Sequence, residues 1–361
     1  MKVLILKDTY NGAYNSFDVF YKSIFSMLLN EGVNVYIATN IEEAVDIINK
    51  VKIDFSINIG IYHFYINDKP LYEIHKIVNY QWIIDNPLRY DKCDFYSPYN
   101  RMIFIDENFK NFCPINRNDF LYLPIPFGGQ IIECSDKIDA ILAPIKIKSE
   151  KVFEEMQGYA ENKELIMKFI NNYDFDFNFG DYYYKFRNEH FINDEKNFFE
   201  IVNGIIRIRK RKKFISSIKK HRVVIVSDNP DNVIFPNNVT FINPCSYEEV
   251  LKMIKSYKYV INCNPNFDYC IHDRISYSVT RGTIVISDEN ELLKNINFPL
   301  LVKYSNLNVD DLIDKIEDYN EMLNKQFSSI SSYVDSNIVS KIVENFSFYK
   351  LKEPNKLCMI I

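Results

Sequence analysis

Short apolar segments recur along this chain with amphipathic helical segments between them. That alternation restricts the fold more than any other feature. Residues 3–6, 33–38 and 55–59 read as strands, separated by helical spacing over 17–29 and 42–48; residues 78–84, 102–105 and 120–125 add three further strands. Parallel neighbours need a crossover segment between them, so strand–helix alternation predicts parallel sheets covered by helices. Between 137 and 220 the rhythm gives way to helical segments with polar, aromatic loops such as NNYDFDFNFGDYYYKF. It resumes with strands at 223–226, 239–242, 259–263, 283–287 and 300–303, and helices at 246–256, 271–281 and 289–295. Helical patterns at 310–327 and 336–345 follow. The expectation is an α/β protein with two Rossmann-like domains facing a cleft: 1–136, a helical segment 137–220, 221–325, and C-terminal helices 326–361 that cross back.

A chain of 361 residues exceeds one ordinary core, which agrees with two domains. The net charge of −5 disfavours a general nucleic-acid partner. Seven cysteines without a C-x-x-C pair argue against a disulfide framework or a structural zinc site and fit a reducing cytoplasm. MKVLILKDTYNG reads as a strand and not a signal peptide, and no apolar run approaches membrane-spanning length. The richness in Ile, Asn and Lys reads as the bias of an AT-rich genome.

The stretch CIHDRISYSVTRGTIVIS, residues 270–287, concentrates the chemistry. Ile271, Ile275, Val279 and Gly282 share one helical face. Gly282 suits the left-handed residue that ends a helix, and Asp268 or Asn266 suits its start. Asp273 fits the positive end of the helix dipole, whereas Arg274 does not unless an anion is shared with it. A phosphate held by amides and guanidinium resolves that conflict; a surface pair of Arg274 with Asp273 or Asp268 is the plain alternative. Asn264 and the turn Ser287-Asp288-Glu289-Asn290 close two neighbouring strands. At such a place acidic groups hold ribose or sugar hydroxyls, or simply cap turns.

INPCSYEEVLKMIKSYKYVINCNP followed by HDRISYSVTRGTIVISDENELL resembles the donor-binding half of GT-B glycosyltransferases, nearest the group-1-like and CgeB-like branch. NYQWIIDNPLRY adds a weaker echo of a W-x-x-D-x-P stretch. The resemblance implies a metal-independent transfer of a sugar from a nucleotide sugar, a UDP-sugar first, to an acceptor hydroxyl. It implies that Asn264, His272, Asp273, Arg274, Ser287, Asp288, Glu289 and Asn290 line the donor site. Arg274 then stabilises the leaving diphosphate with His272 beside it, and the first half takes the acceptor. Asp8, with Tyr10 and Asn11, follows the first strand, and Asp85 follows a later one; these are the candidate bases and acceptor contacts. Three departures stand out. Tyr277 occupies the position where the family often has Glu, and no Glu-x7-Glu pair or strand-end Lys is present.

Other signals weigh less. Asp174-Phe175-Asp176 is a literal D-x-D, but it follows a helical segment and not an apolar strand. Among nine glycines there is no G-x-G-x-x-G or P-loop, and the five histidines lack metal-ligand spacing. RIRKRKK at 207–213 and the basic residues to 222 read as a solvated face, or as peripheral contact with anionic lipid. Partners expected are a nucleotide sugar and a glycan, lipid-linked or protein acceptor, with no nucleic acid and no cofactor beyond the co-substrate. A non-catalytic nucleotide-sugar or glycan-binding protein on the same fold, or an unrelated α/β enzyme such as an epimerase, are the alternatives.

Overall fold

The computed structural model describes residues 1–7, 16–89, 97–113, 120–124, 136–228, 234–264, 266–334 and 338–351. The chain divides into two units, Met1–Pro126 with Val334–Ile361, and Phe127–Tyr333.

In the first unit the alternation becomes β1 (Lys2–Leu6), α1 (Ser16–Asn30), β2 (Asn34–Ala38), α2 (Ile41–Lys50) and β3 (Phe55–Ile59). A small hairpin of β4 (Tyr65–Ile66) and β5 (Lys69–Pro70) precedes α3 (Leu71–Ile74), β6 (Val78–Ile83), β7 (Asn100–Phe104) and β8 (Leu121–Tyr122). Six parallel strands form one sheet in the order β2-β1-β3-β6-β7-β8. Its strands are buried on both faces, as all-parallel sheets are. One face nevertheless carries polar side chains. Ser56 donates to Asn79 Oδ1 (2.8 Å), and Asn79 donates to both Asn58 (2.9 Å) and Asn100 (2.8 Å). Asn100 donates to Gln81 (2.6 Å), and Gln81 to the Gly60 carbonyl (2.7 Å). A satisfied buried network of this kind fixes register, because a one-residue slip breaks every bond in it.

The second unit holds β9 (Ile138–Ala143), then helices α4 (Lys151–Glu154), α5 (Tyr159–Asn172), α6 (Phe179–Glu189) and α7 (Glu195–Ser217). Next come β10 (Val223–Val226), β11 (Val239–Ile242), α8 (Tyr247–Ser256), β12 (Tyr257–Asn262), α9 (Asp273–Thr280), β13 (Ile284–Asp288), α10 (Glu291–Asn295) and β14 (Leu301–Val302). The sheet order is β11-β10-β9-β12-β13-β14, all parallel. Numbered within the sheet this is 3-2-1-4-5-6, the dinucleotide-fold order, with its reversal point between β9 and β12. Residues 137–220 are therefore not wholly helical: β9 stands at the centre of the sheet, and the domain boundary expected at 220/221 falls inside this unit. The aromatic stretch read as loop also enters α6, whose Tyr182, Tyr183 and Phe186 surround Phe169 of α5, with ring centroids as close as 4.9 Å.

α11 (Val309–Asp314) and α12 (Tyr319–Val334) complete the second unit, and α13 (Ile338–Leu351) belongs to the first. There Tyr80 donates to Asn345 (2.9 Å) and Phe55 meets Phe346. α12 is tied to its own sheet by Tyr319, which donates to the Lys258 carbonyl (2.9 Å), and by Gln326. β14 pairs only with Ser287 and Asp288, so the Val285 edge of β13 lacks a strand partner. Gln326, fully buried, supplies it: Oε1 accepts from the Val285 amide (2.9 Å) and Nε2 donates to the Val285 carbonyl (2.6 Å).

Gln326→Leu strands both of those buried backbone groups. Unfolding in urea should show a loss of about 2–4 kcal/mol; a loss below about 0.5 kcal/mol means that the side chain does not carry that edge.

Candidate functional site at the strand-order reversal

In sheets of this topology a ligand lies beyond the carboxyl ends of the strands, where the order reverses. Here that place is the end of β12, at Asn262-Cys263-Asn264, beside β9. α9 begins next to it. Its N-cap is His272, in extended backbone, rather than Asp268 or Asn266. Gly282 sits in the left-handed conformation at φ 70° and lets the chain turn straight into β13, as the sequence requires.

Arg274 projects from the first turn of α9. Among the described residues its guanidinium makes one hydrogen bond, from Nη1 to Asn262 Oδ1 (3.1 Å), and no ion pair. The pairing with Asp273 or Asp268 is not formed. Asp268 accepts from the Gly180 amide (3.0 Å), and Asp273 accepts from the Tyr247 hydroxyl and lies 2.8 Å from His272 Nδ1. His272 Nδ1 also stands 3.2 Å from the Arg274 amide. One nitrogen serves only one of these at a time. With a proton it donates to Asp273; without one it caps Arg274, and the shorter, charge-assisted contact favours the proton on Nδ1. Burial pushes the imidazole pKa down against the pull of Asp273. Burial alone raises the Asp273 carboxyl, but His272, Arg274 and the Tyr247 hydroxyl outweigh it and hold it below the usual range.

Several expected donor residues serve the interior instead. Asn264 is 6% exposed and bonds Phe267 through both ends of its amide. Ser287 is fully buried, accepting from Asn262 and donating to the Asp288 carbonyl. Asp288, 1% exposed, has both oxygens engaged, by the Asn264 amide (2.6 Å) and the Tyr304 hydroxyl (3.0 Å). It does not cap the helix that follows. Asn290 is the cap, accepting from Leu293 and donating to the Cys270 carbonyl. The amides of Ser287 and Glu289 bond the Leu300 and Val302 carbonyls, so these two are spent on the sheet edge. Glu289 alone of that turn keeps a partly exposed side chain, 3.8 Å from Lys303. His272, Asp273, Arg274 and Glu289 thus remain at the site.

The basic run supplies what sequence reasoning missed. Part of it is spent within the protein, while Lys213, Lys219, Lys220 and Arg222 stay exposed. Arg209 pairs with Glu150 (2.9 Å), Arg211 donates to the Lys146 carbonyl (2.7 Å), and Lys220 pairs with Asp314 (2.7 Å). Lys210 is buried, its ammonium over the rings of Tyr173 (5.6 Å) and Tyr304 (5.4 Å). Burial and the Asp288 carboxylate push the Cys263 thiol pKa up, against the pull of Arg211, Arg274 and Lys210. Burial lowers the Lys210 pKa against the attraction of Asp288 and Asp268, and pushes Asp288 up to about 6 against the attraction of Lys210.

The D-x-D segment is a clamp. Asp174 accepts from the Asp176 amide (3.0 Å), and Asp176 accepts from the Ser305 amide (2.8 Å) and from that of Tyr304. In the first unit Asp85 follows β6 and pairs with Arg89 (3.0 Å). Asp8, Tyr10 and Asn11 lie outside the described residues. No group of three or more potential metal ligands occurs among the described residues, and no helix among them is long and apolar enough to cross a membrane.

No family model and no curated protein sequence matches the chain. Solved structures do. The glycosyltransferase AviGT4 of avilamycin A biosynthesis superposes with TM-score 0.57 at 11% identity, over 98% of this chain and 99% of that one. An alpha-glucosyltransferase in complex with UDP-glucose and DNA containing an abasic site gives 0.57 at 9% identity, over 96% and 99%. Anabaena HepE in complex with UDP-glucose gives 0.52 at 7% identity, over 98% and 100%. The chain has the fold of these GT-B glycosyltransferases, with two parallel Rossmann-like sheets and accompanying helices.

Asp288 carries a pH signature. Its folded pKa, about 6, lies above the ordinary 3.8, so the unfolded chain releases this proton first. Its contribution to stability therefore falls as pH rises from about 4 to about 6 and is flat beyond. The stability of Asp288→Asn relative to the parent should improve by about 1 kcal/mol between pH 5 and pH 7 in urea unfolding. A difference independent of pH contradicts a buried carboxyl at that end of β13.

Proposed function

We propose that the chain transfers a glycosyl group from a nucleotide sugar, a UDP-sugar first, to an acceptor hydroxyl. One observation carries the reading: at the reversal point of the second sheet, a guanidinium on the first turn of a helix is oriented by a neutral amide and makes no ion pair. A diphosphate is the ligand that such a place suits, since it takes charge-assisted hydrogen bonds from Arg274 at the positive end of the helix dipole. The likeness to glycosyltransferases solved with UDP-glucose supports the same choice.

In the reaction, the glycosyl carbon leaves the diphosphate oxygen and joins the acceptor oxygen, and negative charge grows on the departing diphosphate. Arg274 stabilises that charge as it develops. His272, once protonated, adds an Nε2–H donor and remains compensated through Nδ1 by Asp273. Asp176 is committed to backbone amides and Asp174 to its own turn, which supports a transfer without a D-x-D metal. Asp85, released from Arg89, is the proposed acceptor base, with Asp8 as the alternative. The acceptor is a glycan, a lipid-linked sugar or a protein; the acidic total weighs against duplex DNA. The group-1-like and CgeB-like branch, a cytoplasmic setting and the lack of any further cofactor are part of the same proposal.

A binding protein without turnover is the second reading. Tyr277, where the family often has Glu, is buried against Tyr247 with ring centroids 6.1 Å apart. UDP release from a panel of UDP-sugars, with and without acceptor glycans, separates the two. Transfer or slow hydrolysis that survives EDTA supports the enzyme; tight binding with no release supports the binding protein.

Arg274→Ala should weaken UDP binding by roughly 10- to 100-fold in calorimetry, with the melting temperature nearly unchanged. Unchanged affinity overturns the assignment of the donor to this site.

A further inference from the structure

We propose that Asn262 and Ser287 are positioning residues for Arg274, aiming the guanidinium through a neutral amide so that its full charge is left for a diphosphate. The proposal rests on the donor-site reading above.

Asn262 and Ser287 are register partners on β12 and β13, and both are buried, at 1% and 0% exposure. Three hydrogen bonds run in one direction. Arg274 Nη1 donates to Asn262 Oδ1 (3.1 Å), Asn262 Nδ2 donates to Ser287 Oγ (2.9 Å), and Ser287 Oγ donates to the Asp288 carbonyl (2.9 Å). The last bond decides the others. The serine proton is committed to a backbone carbonyl, so its oxygen can only accept from Asn262. That fixes which end of the Asn262 amide faces Ser287, and leaves Oδ1 as the end that faces Arg274. Asp288 is itself anchored by the Asn264 amide and Tyr304, so the chain of bonds terminates on a fixed point of the sheet.

The choice of an amide has a chemical consequence. A carboxylate at 262 holds a guanidinium more strongly, but the pair is close to neutral and loses its attraction for a phosphate. An aliphatic side chain leaves the guanidinium free to rotate. The amide aims the side chain and leaves its charge intact.

The test is UDP binding by calorimetry in two backgrounds. In the presence of Arg274, Asn262→Asp should bind UDP about tenfold more weakly, and Ser287→Ala several-fold more weakly, with Ser287→Thr restoring parental affinity through its hydroxyl. In the Arg274→Ala background Ser287→Ala should not alter UDP affinity further; Asn262→Asp is read only with Arg274 present, because its carboxylate alone repels a diphosphate. A merely structural role of Ser287 predicts the same factor in both backgrounds. The proposal is overturned if Asn262→Asp and Ser287→Ala bind UDP as the parent does, or if the loss in Ser287→Ala persists without Arg274. The Ser287 pair decides the matter if Asn262→Asp does not fold. Failure of the parent to bind UDP, or parental affinity in Arg274→Ala, overturns the donor site itself and the proposal with it.

Discussion

The bond between Arg274 and Asn262 is the interaction on which the functional account depends. Buried or half-buried cations are normally neutralised by carboxylates, and most of the cations near this site are. Arg209 has Glu150, Lys220 has Asp314, and Lys210 lies in the field of Asp288 and Asp268. The nearest carboxylate to Arg274 in sequence, Asp273, is drawn away by Tyr247 and His272. The result is one guanidinium that makes no ion pair and is held in direction by a neutral amide, at the point where the strand order of a dinucleotide-type sheet reverses.

The surroundings of that guanidinium are rigid for reasons that reach across the second unit. Asp288 joins the loop after β12 to Tyr304, and Asp176 joins Tyr304 and Ser305 to the aromatic loop between α5 and α6. Tyr304 in turn forms one of the rings that Lys210 covers. A segment that resembles a metal motif, one lysine of the basic run and a turn that resembles a sugar contact are parts of one interior network. Its raised carboxyl and lowered lysine follow from burial, and its place in the fold is behind the site, not in it.

The sequence made the parallel sheets legible because apolar segments such as VVIV, YKYVIN and TIVIS are short, bounded by turn residues and separated by helical periods. The glycine at 282 and the position of Arg274 on the first turn of a helix were legible for the same local reasons. β9 was not. Its first residues, Ile138 and Asp139, are exposed, its pattern is apolar only from Ala140, and a helical stretch follows it. The fates of Ser287, Asp288 and Asn264 were hidden too. Which way a strand-end side chain turns depends on Tyr304 and Asn262, whose distances in space are set by pairing and not by sequence separation. Lys210 shows the same limit. Its burial depends on Tyr173, which the chain brings to it from another helix pair.

The most direct measurement of the central claim is a crystal structure with UDP bound. The account predicts the diphosphate beyond the end of β12 within hydrogen-bond reach of Arg274, with Asn262 still accepting from the same guanidinium and Asp288 still enclosed by Asn264 and Tyr304. A diphosphate bound only in the first unit, or one at β12 with Arg274 turned away from it, would contradict the account.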